Sequence, residues 1–357
     1  MSINYESKKK SALQAKYDAQ KIAFAPIMFQ AALALRNLGI LQLLDSTSEG
    51  FTISEIAEKL QLKVYGIKVL LEAGLSLELV RAENDKFFLT KTGWFIQYDE
   101  LTRVNMDFTN DVNYEGMFSL TESIKTGKPT GLKVFGNWDT VYEGLSQLPS
   151  KAQRSWFAFD HYYSDYAFPE IMPVIFKNEP SHILDIGGNT GKFALVCTEY
   201  NKDVTVTILD LPGQLDKAKK AIIEAGVQDR VNLVPVNLLD HSQPFLKNVD
   251  VVWMSQFLDC FSQEDILQLL RRAKESMNED SNLFILETYW DKQKFEASTY
   301  SLHATSLYFT NIANGCSQMY HSDDLRNLIQ QSGLSLVEEV ENVGVSHTLF
   351  KCKLNGN

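Results

Sequence analysis

The thirteen-residue segment SHILDIGGNTGKF carries the most distinctive chemistry in the sequence. It is an apolar run that ends at Asp185 and continues into Gly187, Gly188 and Gly191. Glycines let the backbone approach a ligand closely, and a helix beginning near Thr190 would direct unpaired N–H groups at an anion. A tight turn alone would need only one glycine. The three glycines and the acid therefore predict a ligand-binding loop.

The spacing of the glycines separates three classes of nucleotide ligand. A dinucleotide loop needs GxGxxG, but Asn189 or Thr190 stands where the second glycine belongs. A P-loop needs GxxxxGK[ST], but Ile186 replaces its first glycine and Phe193 replaces its Ser or Thr. S-adenosylmethionine remains as the candidate, because its anionic group is a carboxylate and its ribose keeps both hydroxyls.

An acid at the end of the second strand is expected to receive those ribose hydroxyls. Asp210 closes the apolar run VTVTILD and follows Asp185 by 25 positions. After the third strand, Asn237 and Leu238 offer an amide and an apolar contact to the adenine. These residues predict S-adenosylmethionine as the cofactor.

A sheet must position these loops, and the second half of the sequence predicts one. From His182 onward, helical segments separate the apolar runs HILDI, VTVTILD, VNLVPV, VDVVWMS and NLFILE. Runs that are apolar throughout are buried on both faces, as in a doubly wound parallel sheet covered by helices. The last two runs, LSLVEEV and SHTLFKCKL, are close enough to form a hairpin. The predicted fold class is α/β and Rossmann-like, with an antiparallel last strand.

The first half of the sequence has a helical pattern that ends in a hairpin. TISEIAEKL opens with a capping box, YGIKVLLEAGLSLEL continues as a helix, and VRAENDKFFLT predicts two short strands. This is the order of a winged-helix module. Only Lys68 could read bases in the segment 64–79, so we expect packing or dimerisation there. The expected domains are a dimerisation domain (1–100), a helical connector (101–178) and a cofactor-binding domain (179–357).

Composition argues against several classes of function. The net charge of −11 would repel a phosphate backbone, so nucleic acid is not an expected partner. The four cysteines lack CxxC spacing, which argues against a zinc site or a disulfide framework and suits a reducing compartment. We find neither the apolar region of a signal peptide nor a run long enough to cross a membrane. We expect a cytoplasmic protein without a bound metal.

Five segments resemble, in the same order, the motifs of small-molecule O-methyltransferases related to plant caffeate and bacterial polyketide methyltransferases. These segments are DIGGNTG, LDLPG, VNLLD, WMSQFLDCFSQED and LET. The similarity extends over nearly the whole chain. It implies a class I methyltransferase fold, a homodimer formed through the winged-helix half, and a small aromatic hydroxylated acceptor. The implied cofactor contacts are Gly187, Asp210, Leu211, Asn237 and Leu238, with Ser255 near the methionine or adenine end and Phe261 where the family often stacks a tryptophan.

The cofactor loop and the acceptor end both depart from the family pattern. Asn189 replaces a glycine in the loop, although asparagine tolerates a left-handed backbone better than other side chains. Asp259 stands where the family has a proton-accepting histidine, Glu287 matches the first of two orienting glutamates, and the second is replaced by Gln318 or Met319. An aspartate with its reference pKa of about 3.9 is a poor base for a phenol near 10, a mismatch on the order of 8 kcal/mol.

Three ways of handling the acceptor proton remain open. Asp259 and Glu287 can form a coupled pair in which one carboxyl is protonated and the other accepts a proton. Alternatively, His161 or His303 acts as the base. Both histidines lie in segments rich in aromatic residues, and these aromatic side chains are expected to fill the core or to face a planar acceptor. In the third, the methyl group goes to a ring carbon beside a hydroxyl. The pattern favours O-methylation; C-methylation, decarboxylation or hydroxylation, and a ligand-sensing winged-helix regulator are the rival functions.

Overall fold

The computed structural model describes residues 9–355 of the chain. They divide into two compact units, of which the first ends at Asn110 and the second begins at Asp111. The segment 101–178, expected to form a connector, is therefore shared between the two units. Within 9–355, no helix combines the length and the apolar character needed to cross a membrane.

The first unit is mainly helical and carries one short hairpin. Thr52 and Glu55 form the predicted capping box, in which each side chain accepts the other's backbone N–H. The two strands pair antiparallel around Asn84 and Asp85, both of which have positive φ. Its elements are α1 (Ala12–Asn37), α2 (Ile40–Asp45), α3 (Ile53–Leu60), α4 (Val64–Ser76), β1 (Val80–Glu83), β2 (Lys86–Leu89), α5 (Lys91–Tyr98) and α6 (Glu100–Phe108).

The second unit begins with helices and continues into a sheet with strand order β5-β4-β3-β6-β7-β9-β8. Its helices are α7 (Leu120–Thr126), α8 (Val141–Gly144), α9 (Ser150–Asp165), α10 (Phe168–Ile175), α11 (Lys192–Tyr200), α12 (Pro212–Glu224), α13 (Gln263–Ser276), α14 (Glu296–Tyr308) and α15 (Ser322–Gln331). Its strands are β3 (His182–Ile186), β4 (Thr205–Asp210), β5 (Val231–Pro235), β6 (Val249–Ser255), β7 (Met277–Glu287), β8 (Leu334–Val343) and β9 (His347–Leu354).

The sheet has the predicted topology. Strands β3 to β7 run parallel, and β9 inserts antiparallel between β7 and β8. Apolar clusters cover both faces: Leu184 and Ile186 of β3 belong to one cluster, and Ile183 of the same strand belongs to the other. The predicted α/β fold with a mainly helical N-terminal unit is confirmed. Because the strand order reverses between β3 and β6, a ligand crevice is expected where these two strands end.

Candidate active site

The glycine loop between β3 and α11 has a backbone that ordinary side chains would not tolerate. Gly187 and Gly191 have φ of 77° and 79°. A Cβ atom on Gly187 would overlap the ring of Phe257, and one on Gly188 would crowd the Asp185 carboxylate. Asn189 also adopts the left-handed region, with φ of 48°. The loop thus keeps its close backbone approach despite the asparagine, while α11 begins at Lys192, slightly later than expected.

Asp210 ends β4 and is held by the loops on either side. One carboxylate oxygen accepts from the Asn189 N–H at 2.8 Å, and the other accepts from the Leu211 N–H at 2.6 Å. Burial raises the pKa of Asp210, while these two backbone donors act in the opposite direction. The carboxylate is therefore fixed in orientation, and each oxygen keeps a lone pair for a ribose hydroxyl.

A cavity of about 350 Å³ opens beside these residues. We call one part of its wall the cofactor end; it contains Gly187, Asp210, Leu211, Asn237 and Leu238. The acceptor end of the same cavity contains Tyr142, Asp259, Cys260, Tyr308 and Met319. Phe261 also lines this cavity, and its ring meets Phe257 edge-on with centroids 4.7 Å apart.

A second cavity of about 70 Å³ lies against the glycine loop. Asp185, Gly188, Asn189 and Ser255 all line it, whereas Gly191 lines neither cavity. Asp185 Oδ2, Asn189 Oδ1 and Ser255 Oγ are buried and have no hydrogen-bond partner within residues 9–355. Burial, and next to it the charge of Asp210, raises the pKa of Asp185 well above its usual range.

Three unsatisfied oxygens in one small cavity indicate a ligand with several N–H donors, because buried polar atoms are rarely left without partners. The α-ammonium group of S-adenosylmethionine provides such donors, and Asp210 offers oxygens to its ribose. The residues present therefore fit the predicted cofactor.

At the acceptor end, the structure brings Asp259 and Glu287 together. Glu287 ends β7, and its Oε1 accepts from the backbone N–H groups of Phe257 and Leu258 at 3.0 and 2.8 Å. Those contacts hold the short turn Leu258–Cys260 that carries Asp259. Asp259 is only 7% exposed, and burial raises its pKa to about 6. Burial and the neighbouring charge of Asp259 also raise the pKa of Glu287.

Several residues around Asp259 lie outside the set expected from the sequence. The Cys260 thiol donates to Asp259 Oδ1 at 3.4 Å, and Asn314 Nδ2 donates to the Cys260 carbonyl at 2.7 Å. The Trp156 indole donates to the Tyr308 hydroxyl at 2.7 Å. The abundance of aromatic residues near positions 156 and 308 is the only sequence signal for this group.

The two candidate histidines lie in different places. His161 lines the smaller cavity and stacks on Phe157, with ring centroids 5.8 Å apart. His303 packs against Trp290 at 5.1 Å and is absent from the lining of both cavities. The structure thus brings His161 to the cofactor loop but does not bring His303 to the acceptor end. Across residues 9–355, no group of three or more His, Cys, Asp or Glu side chains is arranged to hold a metal ion.

Comparison with known proteins agrees with this geometry. Residues 175–335 match the O-methyltransferase domain, and residues 16–87 match the Dimerisation2-like domain. The L-tyrosine C(3)-methyltransferase of Streptomyces lavendulae is 25% identical over 271 residues, which cover 75% of this chain and 73% of that protein.

Two solved structures share the fold at low sequence identity. The S-adenosylmethionine-dependent methyltransferase SibL, in its apo form, has a TM-score of 0.72 at 22% identity, over 94% of this chain and 98% of that one. An O-methyltransferase from neocarzinostatin biosynthesis, solved with S-adenosylmethionine and 2-hydroxy-5-methyl naphthoic acid, has a TM-score of 0.66 at 17% identity, over 92% and 96% of the two chains. The chain belongs to the small-molecule O-methyltransferase family that its motifs predict, and it is an S-adenosylmethionine-dependent methyltransferase.

Proposed function

We propose that this enzyme methylates the hydroxyl oxygen of a small aromatic acceptor. The observation that carries the proposal is Asp259, a buried carboxylate in the wall of the cavity that also contains the cofactor end. Trp156, Tyr308 and Phe309 line the same cavity and offer faces and edges to a planar ring. A base beside an aromatic slot, within reach of a methyl donor, is what transfer to a phenol requires.

The residues of this chain have separate tasks in the proposed mechanism. Bound S-adenosylmethionine supplies an activated methyl group. Asp210, Asn237 and Leu238 would hold its nucleoside, while Asp185 and Ser255 would hold its ammonium end.

Asp259 would accept the proton of the acceptor hydroxyl as the oxygen becomes a nucleophile. With its pKa raised to about 6, Asp259 is a better base than an exposed aspartate. The mismatch with a phenol near 10 falls to about four pKa units, on the order of 5 kcal/mol. Glu287 acts indirectly, because its carboxylate holds the backbone of the turn on which Asp259 stands.

C-methylation of a phenolic ring is the second candidate. The relative from Streptomyces lavendulae is named for methylation at a ring carbon, and this chain shares with it 25% identity. Removing the phenol proton at Asp259 would also enrich the neighbouring ring carbon in electrons, so the same base serves either outcome. The methylated atom is then decided by how the ring is oriented toward the methyl group.

Two measurements test the proposed function. Calorimetric titration with S-adenosylmethionine is expected to show binding, and no heat and no thermal stabilisation at millimolar cofactor would contradict it. Incubation with a panel of phenols should release S-adenosylhomocysteine, and NMR of the product distinguishes an O-methyl ether from a C-methyl arene. Turnover of the acceptor without S-adenosylhomocysteine would instead support the hydroxylation or decarboxylation alternative.

We propose further that the enzyme is a homodimer through its N-terminal unit, in which the helices and hairpin act as a winged-helix dimerisation module. Helix α1 exposes Leu13, Ile22 and Ile27 by 80%, 76% and 66%, and a second copy would cover these side chains. The match to a Dimerisation2-like domain supports this assignment. Light scattering should give twice the chain mass of 40.5 kDa, and Ile22→Glu should lower it.

A cytoplasmic location is proposed on the state of the cysteines. Cys197, Cys260, Cys316 and Cys352 are all free, which suits a reducing compartment. The net charge of −11 also disfavours binding to nucleic acid or to anionic membrane surfaces. Fractionation of the producing cell tests this location, and recovery with membranes would contradict it.

A further inference from the structure

The charges around the larger cavity are all of one sign. Its lining contains the carboxylates of Glu143, Asp160, Asp210, Asp259 and Asp265, and it contains no Lys, Arg or His within the described chain. An acceptor with a carboxylate or phosphate would therefore meet repulsion and would find no cationic side chain to pair with.

Three of the five acids have tasks that do not involve the acceptor. Asp210 is assigned to the ribose, and Asp160 accepts from the Asn189 side chain at 3.2 Å, beside the glycine loop. Asp265 Oδ2 accepts from the Ser262 hydroxyl at 2.6 Å at the start of α13, and its other oxygen faces His241 at 3.3 Å. Asp259 and Glu143 remain for the acceptor.

Asp259 lacks a cationic partner at the point where it faces the cavity. Its hydrogen bonds come from the Cys260 thiol, which is a weak donor, and from its own backbone N–H, and the neighbouring side chain of Glu287 is another acid. Glu287 Oε2 is itself buried without a hydrogen-bond partner in the same part of the chain. A buried carboxylate beside a second acid, without a counter-charge, favours a ligand that brings donors or positive charge.

Glu143 lies at the solvent-exposed edge of the same cavity. It follows Tyr142 in α8, and Tyr142 faces inward near Cys260. Asp259 and Glu143 line the same cavity, so a ring whose hydroxyl reaches Asp259 can present a substituent to the carboxylate of Glu143.

We infer that the acceptor is a phenol that carries a protonated amine, with its hydroxyl at Asp259 and its amine at Glu143. This inference rests on the proposed function and adds the charge of the acceptor to it. The amine gains an ion pair at the rim, and its charge is attracted by the acidic lining as the acceptor enters.

Three phenols of similar size test the inference: tyramine carries an amine, 4-ethylphenol is neutral, and 3-(4-hydroxyphenyl)propionate carries a carboxylate. Binding is measured by calorimetry on the complex with S-adenosylhomocysteine, so the result does not depend on turnover. Tyramine is expected to bind most tightly and the carboxylate most weakly, at least about tenfold apart because like charges oppose each other. Equal affinities, a preference for the carboxylate, or no binding of tyramine would overturn the inference.

Substitution of Glu143, at the solvent-exposed edge of the cavity, tests where the amine of the acceptor binds. Glu143→Gln should weaken the binding of tyramine about fivefold, as expected for an exposed ion pair. The affinity for 4-ethylphenol should not change. Glu122→Gln, at an exposed acid of α7 outside the cavity, should change neither affinity. An equal loss for both phenols in Glu143→Gln would contradict the assignment. Failure of the cofactor to bind would overturn the proposed function itself, whereas cofactor binding without a preference for tyramine would overturn only this inference.

Discussion

The cofactor end and the acceptor end of the larger cavity are built in different ways. At the cofactor end, backbone groups at the ends of β3 and β4 fix the site: Asp210 is held by two N–H groups, and Gly187 leaves its backbone bare. At the acceptor end, side chains from separate segments form the wall, among them Tyr142, Asp259 and Tyr308.

The difference matters for how each end can change. Backbone positions at strand ends follow from the sheet, so the cofactor end is tied to the fold. Side chains on short turns and helices can be exchanged without altering the sheet. We therefore expect substitutions at the acceptor end to change turnover and acceptor choice, and substitutions at the cofactor end to change cofactor affinity.

Asp259→Asn should have the largest effect on turnover. The amide keeps the size of the side chain but cannot accept the proton, so kcat should fall by about 100-fold or more. Affinity for S-adenosylhomocysteine, measured by calorimetry, should stay close to that of the wild type. An unchanged kcat would remove Asp259 from the mechanism, and a parallel loss of cofactor affinity would show that the two ends are not separable.

Asp210→Ala should produce the complementary result at the cofactor end. It removes the proposed acceptor of the ribose hydroxyls, which should weaken the binding of S-adenosylhomocysteine by roughly 30- to 100-fold, the range for hydrogen bonds to a charged group. Acceptor turnover at saturating cofactor should fall much less. Asp216→Ala, at an exposed acid of α12 outside both cavities, is the matched control. Retained cofactor affinity in Asp210→Ala would contradict the assignment of the ribose to this residue.

The pH profile should also report on the acceptor end. Because burial raises the pKa of Asp259 to about 6, the carboxylate is largely ionised at pH 7 and largely protonated at pH 5. A base must be ionised to accept a proton, so kcat/KM should fall about tenfold from pH 7 to pH 5. Cofactor affinity, measured in parallel, serves as the control. A profile that is flat between these pH values in an enzyme that stays folded would exclude Asp259 as the base.

Much of the cofactor end could be predicted from the sequence, because each residue sits in a local pattern. The strands are apolar throughout, so β3, β4 and β6 and the residues that follow them could be identified from short windows. Asp185, Gly187 and Asp210 follow directly from that placement.

The acceptor end depends on contacts between residues that are far apart in the sequence, so no short sequence segment contains them. Tyr142 lies in a helix of four residues, and Cys260 and Asn314 meet although they are 54 positions apart. Pairing Asp259 with Glu287 required the spacing of a known family. His303 occupies a helix whose aromatic composition suits either the core or a pocket, and only the fold shows it against Trp290.

Phe261→Ala should weaken cofactor binding moderately. Phe261 lines the larger cavity where the family often stacks a tryptophan, so losing its ring should reduce affinity for S-adenosylhomocysteine by about three- to tenfold. Phe261→Trp keeps an aromatic face and should restore most of that affinity. If Phe261→Ala changed only acceptor binding, this residue would belong to the acceptor end.

His303→Ala should have the smallest effect, and it tests the account in which a histidine replaces the missing base. His303 packs against Trp290 and lines neither cavity, so we do not expect it to exchange a proton with the acceptor. We expect kcat within about twofold of the wild type, because no interaction specific to the transition state is lost. His303→Gln controls for the loss of ring packing. A loss in both variants comparable to that in Asp259→Asn, with the fold intact by circular dichroism, would mean that the helix carrying His303 moves toward the acceptor during turnover, and the assignment of the base to Asp259 would then be wrong.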